Sequence, residues 1–131
     1  MDAVFTAYLE EAKQQKIRTD VRIALPDSLP VAEGEFAIVL ANALENAIHA
    51  CLELPEDERR LQCRVIAHPQ LMMEIKNTCA GTVRLDARGM PGPSKAGHGW
   101  GTQSIAAFCR KYRASCQYET RDGWFILRIV L

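Results

Sequence analysis

The chain has 131 residues, and 16 Lys plus Arg against 16 Asp plus Glu give a formal net charge of zero. Hydrophobic residues make up 48% and charged residues 24% of the chain, a balance close to that of average soluble domains. This composition disfavours disorder, collagen and coiled coil, and the zero net charge disfavours sequence-independent binding of nucleic acid or an anionic membrane. We expect one domain over residues 1–131, because no repeat or linker-like segment divides the sequence.

Neither a membrane span nor an export signal is predicted. The longest apolar stretch is too short to cross a bilayer, and Met1 is followed by acidic, helix-forming sequence rather than by a basic flank and an apolar run. We therefore expect a cytoplasmic domain that makes no membrane contact of its own.

The cysteine pattern favours reduced thiols. Five cysteines form no C-x-x-C pair, and an odd number in a domain with an ample core is typical of small buried side chains in a reducing compartment. His49, His68 and His98 have no metal-ligand spacing with them, so we expect no zinc site. The five cysteines are Cys51, Cys63, Cys79, Cys109 and Cys116.

The hydrophobic pattern predicts three helices and five strands. Apolar residues at i, i+3 and i+4 indicate helices, and alternating residues indicate half-buried strands. Turn residues at 68–70 and 121–123 predict two hairpins. This order predicts an α+β fold, an α/β sandwich in which a five-stranded, mostly antiparallel mixed sheet carries three helices on one face. The predicted elements are helix 3–16, strand 20–25, helix 33–52, strands 61–67 and 71–76, helix 102–113, and strands 115–120 and 124–131.

A glycine-rich segment lies between Gly81 and Gly101 and holds six of the eight glycines. A stretch of about 20 residues without regular structure is uncommon in a compact domain and is often a functional lid. It runs directly into the predicted third helix, where glycines let backbone amides approach an anion at the helix N-terminus. A flexible surface loop explains the segment about equally well.

Asn42, Asn46 and His49 form a polar stripe on the long helix, about 140° from the centre of its apolar stripe. Asparagine is a mediocre helix former, so two of them one turn apart in a helix interior need a reason. Their amide oxygens could together coordinate a hard cation such as Mg²⁺. A solvated polar face is the ordinary alternative.

Three segments in order resemble the N, G1 and G2 boxes of the GHKL ATPase superfamily, which includes gyrase and sensor histidine kinases. They are residues 40–48 (LANALENAI), 75–81 (IKNTCAG) and 98–105 (HGWGTQSI). They are most similar to the short-lid catalytic domains of peptide-sensing histidine kinases, in which an asparagine replaces the usual G1 aspartate. Lys95 and His98 fit the lysine-containing lid and the His-Gly-x-Gly segment of that subfamily.

The resemblance implies the Bergerat ATP-binding fold and a set of ligands for Mg²⁺ and ATP. It implies that Asn46, assisted by Asn42, holds Mg²⁺ on the triphosphate, that Asn77 meets the adenine edge, and that Gly81 allows close approach of the base. The remaining implied residues surround the phosphates through backbone amides, charge or hydrogen bonds. They are His49, Lys95, His98, Gly99, Gly101 and Thr102.

Four positions depart from the wider superfamily. Asn77 stands in place of a carboxylate, which implies a weaker adenine contact. Trp100 is bulky between two glycines, and Thr102 replaces a common leucine, so both reshape the lid. Asn42 stands where hydrolysing members carry a glutamate base, so we expect little ATP hydrolysis.

The resemblance implies an enzyme, the catalytic domain of a protein-histidine kinase in two-component signalling. Its partners would be histidine-bearing dimerisation helices of the same kinase and, indirectly, a response regulator. A sensor region absent from this chain could anchor the full-length protein in the inner membrane. An anti-sigma-type serine/threonine kinase and a degenerate, non-catalytic partner-binding module remain as alternatives.

Overall fold

A computed structural model describes the backbone of residues 2–80 and 99–131. Within these ranges the chain forms three helices, five strands and one short 3₁₀ turn at Glu56–Glu58. The helices are α1 Asp2–Gln14, α2 Glu33–Cys51 and α3 Gly99–Tyr112. The strands are β1 Arg18–Ile23, β2 Arg60–Ile66, β3 Met72–Thr78, β4 Ser115–Arg121 and β5 Trp124–Val130.

The five strands form one sheet in the order β1-β2-β3-β5-β4. β1 runs parallel to β2, and every other neighbouring pair is antiparallel. The three helices form a single layer: α1 packs on β1, α2 on β2 and β3, and α3 on β4. The predicted mixed, mostly antiparallel sheet with helices on one face is therefore confirmed.

The core lies between the sheet and α2. All eight apolar residues that the helical spacing assigned to one face of α2 are buried. They meet alternate residues of β2 and β3, whose burial pattern shows the predicted period of two. The eight are Phe36, Val39, Leu40, Ala43, Leu44, Ala47, Ile48 and Cys51.

Helices α1 and α3 end in the same way, although neither has a glycine at its C-terminus. Lys16 and Arg113 take the left-handed conformation, with φ of 60° and 55°. The amide of Ile17 then bonds the Ala12 carbonyl at 2.9 Å, and the amide of Ala114 bonds the Cys109 carbonyl at 2.9 Å. These are the long-range bonds of a Schellman motif. Both helices therefore end in this motif without the glycine that usually occupies its left-handed position.

Several predicted boundaries shift by a few residues. β1 lies two residues before its predicted position, β3 extends two residues further to include Asn77, and the 3₁₀ turn was not predicted. In α3 the helical spacing predicts that Ile105, Ala106, Cys109 and Tyr112 point inward, and this prediction misses Phe108, which is buried. These differences leave the element order and the two hairpins unchanged.

The cysteines are free thiols, and four of the five are buried. Burial raises the pKa of the Cys63 thiol to about 12 and also raises the pKa of the Cys51 thiol. Both therefore stay protonated at neutral pH and pack as small apolar side chains. Cys116 differs from the expectation because it is only half-buried. Among the described residues no helix is long and apolar enough to cross a membrane.

Candidate functional site

The polar stripe of α2 lies on the flank that faces α3. Asn42 and Asn46 are half-buried, whereas His49 is exposed. Asn42 and Asn46 follow Glu35 by seven and eleven residues, so all three share nearly one direction around the helix. Glu35 contacts α3, because Lys111 Nζ lies 2.7 Å from its Oε1. The two asparagines therefore face the gap between α2 and α3 instead of pointing straight away from the core.

A cluster at one end of the helix pair fixes how α2 and α3 meet. Tyr112 donates its hydroxyl proton to Glu35 Oε1 at 2.8 Å, and its oxygen accepts from the Ala32 amide at 3.1 Å. Ala32 is the N-cap of α2 and has no side chain that could cap the helix. An α3 side chain thus binds the first turn of α2, which the N-cap residue leaves uncapped.

Two aromatic residues continue this contact along the helices. The ring centroids of Phe36 and Phe108 lie 6.4 Å apart, and those of Phe108 and Tyr112 lie 4.9 Å apart. Both separations fall in the range of favourable aromatic pairs. The first turn of α2 meets the last turns of α3, and the two helices pack side by side, so we infer that they run antiparallel.

The antiparallel alignment brings the asparagines level with the start of α3. Asn42 and Asn46 lie about 9 and 15 Å further along α2 than Phe36, at 1.5 Å per residue. Gly99, the first residue of α3, lies about 14 Å back along α3 from Phe108 by the same rise. Two amide side chains and a helix N-terminus therefore line the same end of the groove between α2 and α3.

Asn77 is the one buried polar residue among the described residues, with 2% of its surface exposed. It lies on the face of β3 that α2 covers, in line with the buried Met73 and Ile75. Its Nδ2 donates to the Thr78 carbonyl at 3.0 Å, and no described residue donates to its Oδ1. An amide buried in this way keeps an acceptor oxygen available to a ligand.

The last turn of α2 is held against the end of β3. Cys51 Sγ lies 3.4 Å from the Arg60 carbonyl and 3.9 Å from the Thr78 carbonyl. Thr78 Oγ1 in turn donates to the Glu58 carbonyl at 2.9 Å. These contacts bring the C-terminal end of α2 close to the strand end that carries Asn77.

Part of the predicted site lies on two elements that pack against each other. Asn42, Asn46 and Asn77 lie on the two elements that approach each other, and His49 lies beyond Asn46 at the exposed end of the stripe. Gly81, Lys95 and His98 lie outside the described residues. Only the helical backbone is described for the other three predicted residues, which lie in the first turn of α3. They are Gly99, Gly101 and Thr102.

Sequence reasoning missed the cluster of Glu35, Lys111 and Tyr112 that aligns the helices. Glu35 and Lys111 read as ordinary exposed charges, and 76 residues separate them. Tyr112 was predicted to point inward, but its hydroxyl partner was not foreseen. The only local signal was the absence of a capping side chain at Ala32, before the long helix.

The family model that matches the chain is the one described as GHKL domain, over residues 33–131. A search of curated proteins returned no match.

Solved structures share the fold over nearly the whole chain. The catalytic domain of histidine kinase ThkA in a nucleotide-free form has a TM-score of 0.76 at 13% identity, with 99% of this chain and 88% of that chain covered. The mycobacterial sensor histidine kinase MprB gives 0.71 at 19% identity, covering 100% and 94%. Acinetobacter baumannii histidine kinase AdeS gives 0.68 at 18% identity, covering 99% of this chain and 61% of that one.

The Glu35 cluster makes a testable contribution to stability. Hydrogen bonds from Lys111 and Tyr112 lower the pKa of Glu35. A carboxyl group with a lowered folded-state pKa stabilises the fold above its unfolded pKa of about 4.3, and this stabilisation is lost as the pH falls through the folded pKa. We expect Glu35→Gln to reduce the free energy of unfolding in urea at pH 7 and to have progressively less effect between pH 4 and pH 2.

The control is the same substitution in a Lys111→Met/Tyr112→Phe background, where the effect of Glu35→Gln should no longer depend on pH. In the otherwise native chain, Glu35→Gln could instead lower the free energy of unfolding by the same amount from pH 7 to pH 2. That result would show that the ionised Glu35 carboxylate does not stabilise the fold.

Proposed function

The chain belongs to the GHKL domain family, and on that premise we propose that it binds Mg²⁺ and ATP and donates the γ-phosphoryl group to a histidine on a separate dimerisation domain. In this proposal the domain is the catalytic part of a cytoplasmic sensor histidine kinase. A response regulator would be its indirect partner, and a sensor region could anchor the full-length protein in the inner membrane.

The buried amide side chain of Asn77 is the observation that best supports this proposal. Burying an amide side chain costs free energy unless its polar atoms are bonded, so a sheet residue buried among apolar neighbours is better as Val or Ile. Here Nδ2 is already held by the Thr78 carbonyl. The orientation therefore presents Oδ1, which accepts a hydrogen bond and suits the exocyclic amino group of adenine.

Asn42 and Asn46 fit the metal ion. Their side chains carry the amide oxygens that Mg²⁺ prefers, and both point into the groove without being fully exposed. The metal ion, when bound, neutralises charge on the triphosphate. Two neutral ligands add no negative charge beside the phosphates, so the ion's own charge stays available to them.

The start of α3 fits the phosphates. Its first amides have no partner within the helix, and the helix dipole favours negative charge at this end. Gly99 and Gly101 would let the backbone come close, and Thr102 would add an amide in the same turn. Lys95, His98 and His49 would add positive charge or hydrogen bonds, and Gly81 would make room for the base.

Asn42 also accounts for the proposed choice of acceptor. An asparagine cannot take a proton from water at neutral pH, so its position offers no general base for hydrolysis. A histidine side chain is already a nucleophile and mainly requires alignment and shielding of charge. The site is therefore suited to transfer to an imidazole rather than to water.

Asn46→Ala tests the metal assignment. We expect the variant to bind a non-hydrolysable ATP analogue in the presence of Mg²⁺ at least about tenfold more weakly, since one oxygen ligand is lost. The melting temperature should change little, because alanine is a better helix former than asparagine. Asn42→Ala should show a smaller loss of the same kind.

Gln14→Ala is the matched control, because it also removes an amide side chain from a helix, at an exposed position of α1, which packs on β1. It should leave affinity for the analogue unchanged. Unaltered affinity in a folded Asn46→Ala variant would remove Asn46 from the site.

The mechanism predicts transfer without hydrolysis. The isolated domain should release phosphate from ATP very slowly. Adding a dimerisation helix pair with its histidine should give acid-labile phosphorylation on that added segment, measured with γ-labelled ATP. Rapid hydrolysis by the domain alone would contradict the role of Asn42. Acid-stable phosphoserine on a protein partner would favour the alternative hypothesis of a serine/threonine kinase.

A further inference from the structure

The sheet has a second face, which the helices do not cover. Its outward-facing positions on the five strands carry seven Lys or Arg and three Asp or Glu. The whole chain is neutral, so this face holds a local excess of positive charge that the rest of the surface must balance. The cations are Arg18, Arg22, Arg60, Arg64, Lys76, Arg121 and Arg128, and the anions are Asp20, Glu74 and Glu119.

Arginines pair with arginines at the β1 edge of this face. The parallel register places Arg18 beside Arg60 and Arg22 beside Arg64. Like charges directly opposite each other on neighbouring strands destabilise a sheet. The four residues, which we call the arginine square, are all exposed. A sheet that keeps two such pairs at a cost in stability is typical of a binding surface.

The nearby carboxylates neutralise little of this charge. Glu74 lies opposite Arg64 in the register, but its Oε2 is held by both Arg128 Nε at 2.9 Å and Arg128 Nη2 at 2.6 Å. Asp20 lies 3.7 Å from Arg22, and both side chains are more than half exposed. Among the described residues no carboxylate lies within ion-pair distance of Arg18, Arg60 or Arg64.

The face has one apolar row at one end, formed by the half-buried register neighbours Ile66, Met72 and Val130, and little exposed apolar surface at its centre. Its central apolar residue, Ile126, is only 5% exposed and lies between Lys76 and Glu119 in the register. Lys76 Nζ lies 5.3 Å from the centroid of the Trp124 ring, so this cation covers the neighbouring aromatic side chain. The arginine square itself consists only of exposed charged side chains, so charge must provide the attraction for a partner there.

We propose that the arginine square is a docking site for an acidic protein segment. Arg18 and Arg22 lie about 13 Å apart along β1 at 3.3 Å per residue, which matches two carboxylates four residues apart in an extended peptide. Guanidinium groups bind carboxylates in paired hydrogen bonds. Glu74, Glu119 and Asp20 interrupt the positive field, which suits discrete carboxylates better than the uniform charge of nucleic acid or a membrane.

The size of the face indicates a transient complex. Five strands of about seven residues span roughly 500 Å² in projection, and the arginine square takes up only the β1–β2 part of it, so a contact confined to the square is smaller than the roughly 800 Å² per partner of a standard stable interface. The docking site lies on the opposite side of the sheet from the groove between α2 and α3. It therefore does not depend on the proposed function, and a partner could occupy it without blocking that groove.

The test uses a 12-residue peptide with Glu at every second position and the same peptide with Gln in place of Glu. In dilute buffer, NMR titration should show the Glu peptide binding and shifting the amides of β1 and β2, and 0.5 M salt should abolish binding. Arg22→Gln/Arg64→Gln should weaken binding by about fivefold or more. The same double variant no longer has two like charges side by side at positions 22 and 64. Its melting temperature should therefore be about 1–4 °C higher than that of the native chain.

Arg110→Gln is the control, because it removes one positive charge from an exposed position on α3. It should leave peptide affinity unchanged. The proposal is wrong if the Glu peptide binds no better than the Gln peptide, or if the arginine variant binds it as tightly as the native chain. It is also wrong if transfer RNA or vesicles containing phosphatidylserine bind the square more tightly than the peptide does.

Discussion

The alignment of α2 with α3 is the constraint on which the site depends. A single hydroxyl, that of Tyr112, bonds both Glu35 and the backbone of the uncapped N-terminus of α2. The contact of Phe36 with Phe108 extends the alignment toward the middle of both helices. With this end fixed, the helical rise puts Asn42 and Asn46 level with the start of α3.

The sheet supplies the other half of the arrangement. Its inner face buries apolar residues against α2, and the same face carries the buried amide of Asn77 at the end of β3. Its outer face is mostly charged or polar, with charges in rows across the strands. The sheet therefore separates two surfaces: the groove between α2 and α3, where we propose that a nucleotide binds, and the basic outer face, where we propose that an acidic protein segment docks.

Much of this structure could be predicted from local patterns. The spacing of apolar residues in α2 identified its buried face residue by residue, and the turn residues located both hairpins. Asn42 and Asn46 stood out because two asparagines one turn apart in a helix interior are unusual, whereas Asn77 was identified only through the resemblance of residues 75–81 to the G1 box. The ends of α1 and α3 could not be predicted, since Lys16 and Arg113 adopt a conformation that glycine usually marks.

Contacts between residues that lie far apart in the chain could not be predicted from the sequence either. The bond from Tyr112 to Glu35 joins residues 77 positions apart, and neither residue type is unusual where it stands. The like-charge pairs of the arginine square arise only from the parallel register of β1 with β2. Gly81, Lys95 and His98 lie outside the described residues, so their roles remain predictions based on the resemblance.

We propose that a nucleotide binds in the groove between α2 and α3 through a metal ion. Binding can be measured by calorimetric titration of the native domain with a non-hydrolysable ATP analogue, with and without Mg²⁺. We expect one binding site per chain and a clear gain in affinity when Mg²⁺ is present. No detectable binding, or an affinity that is the same in Mg²⁺ and in chelator, would contradict this proposal.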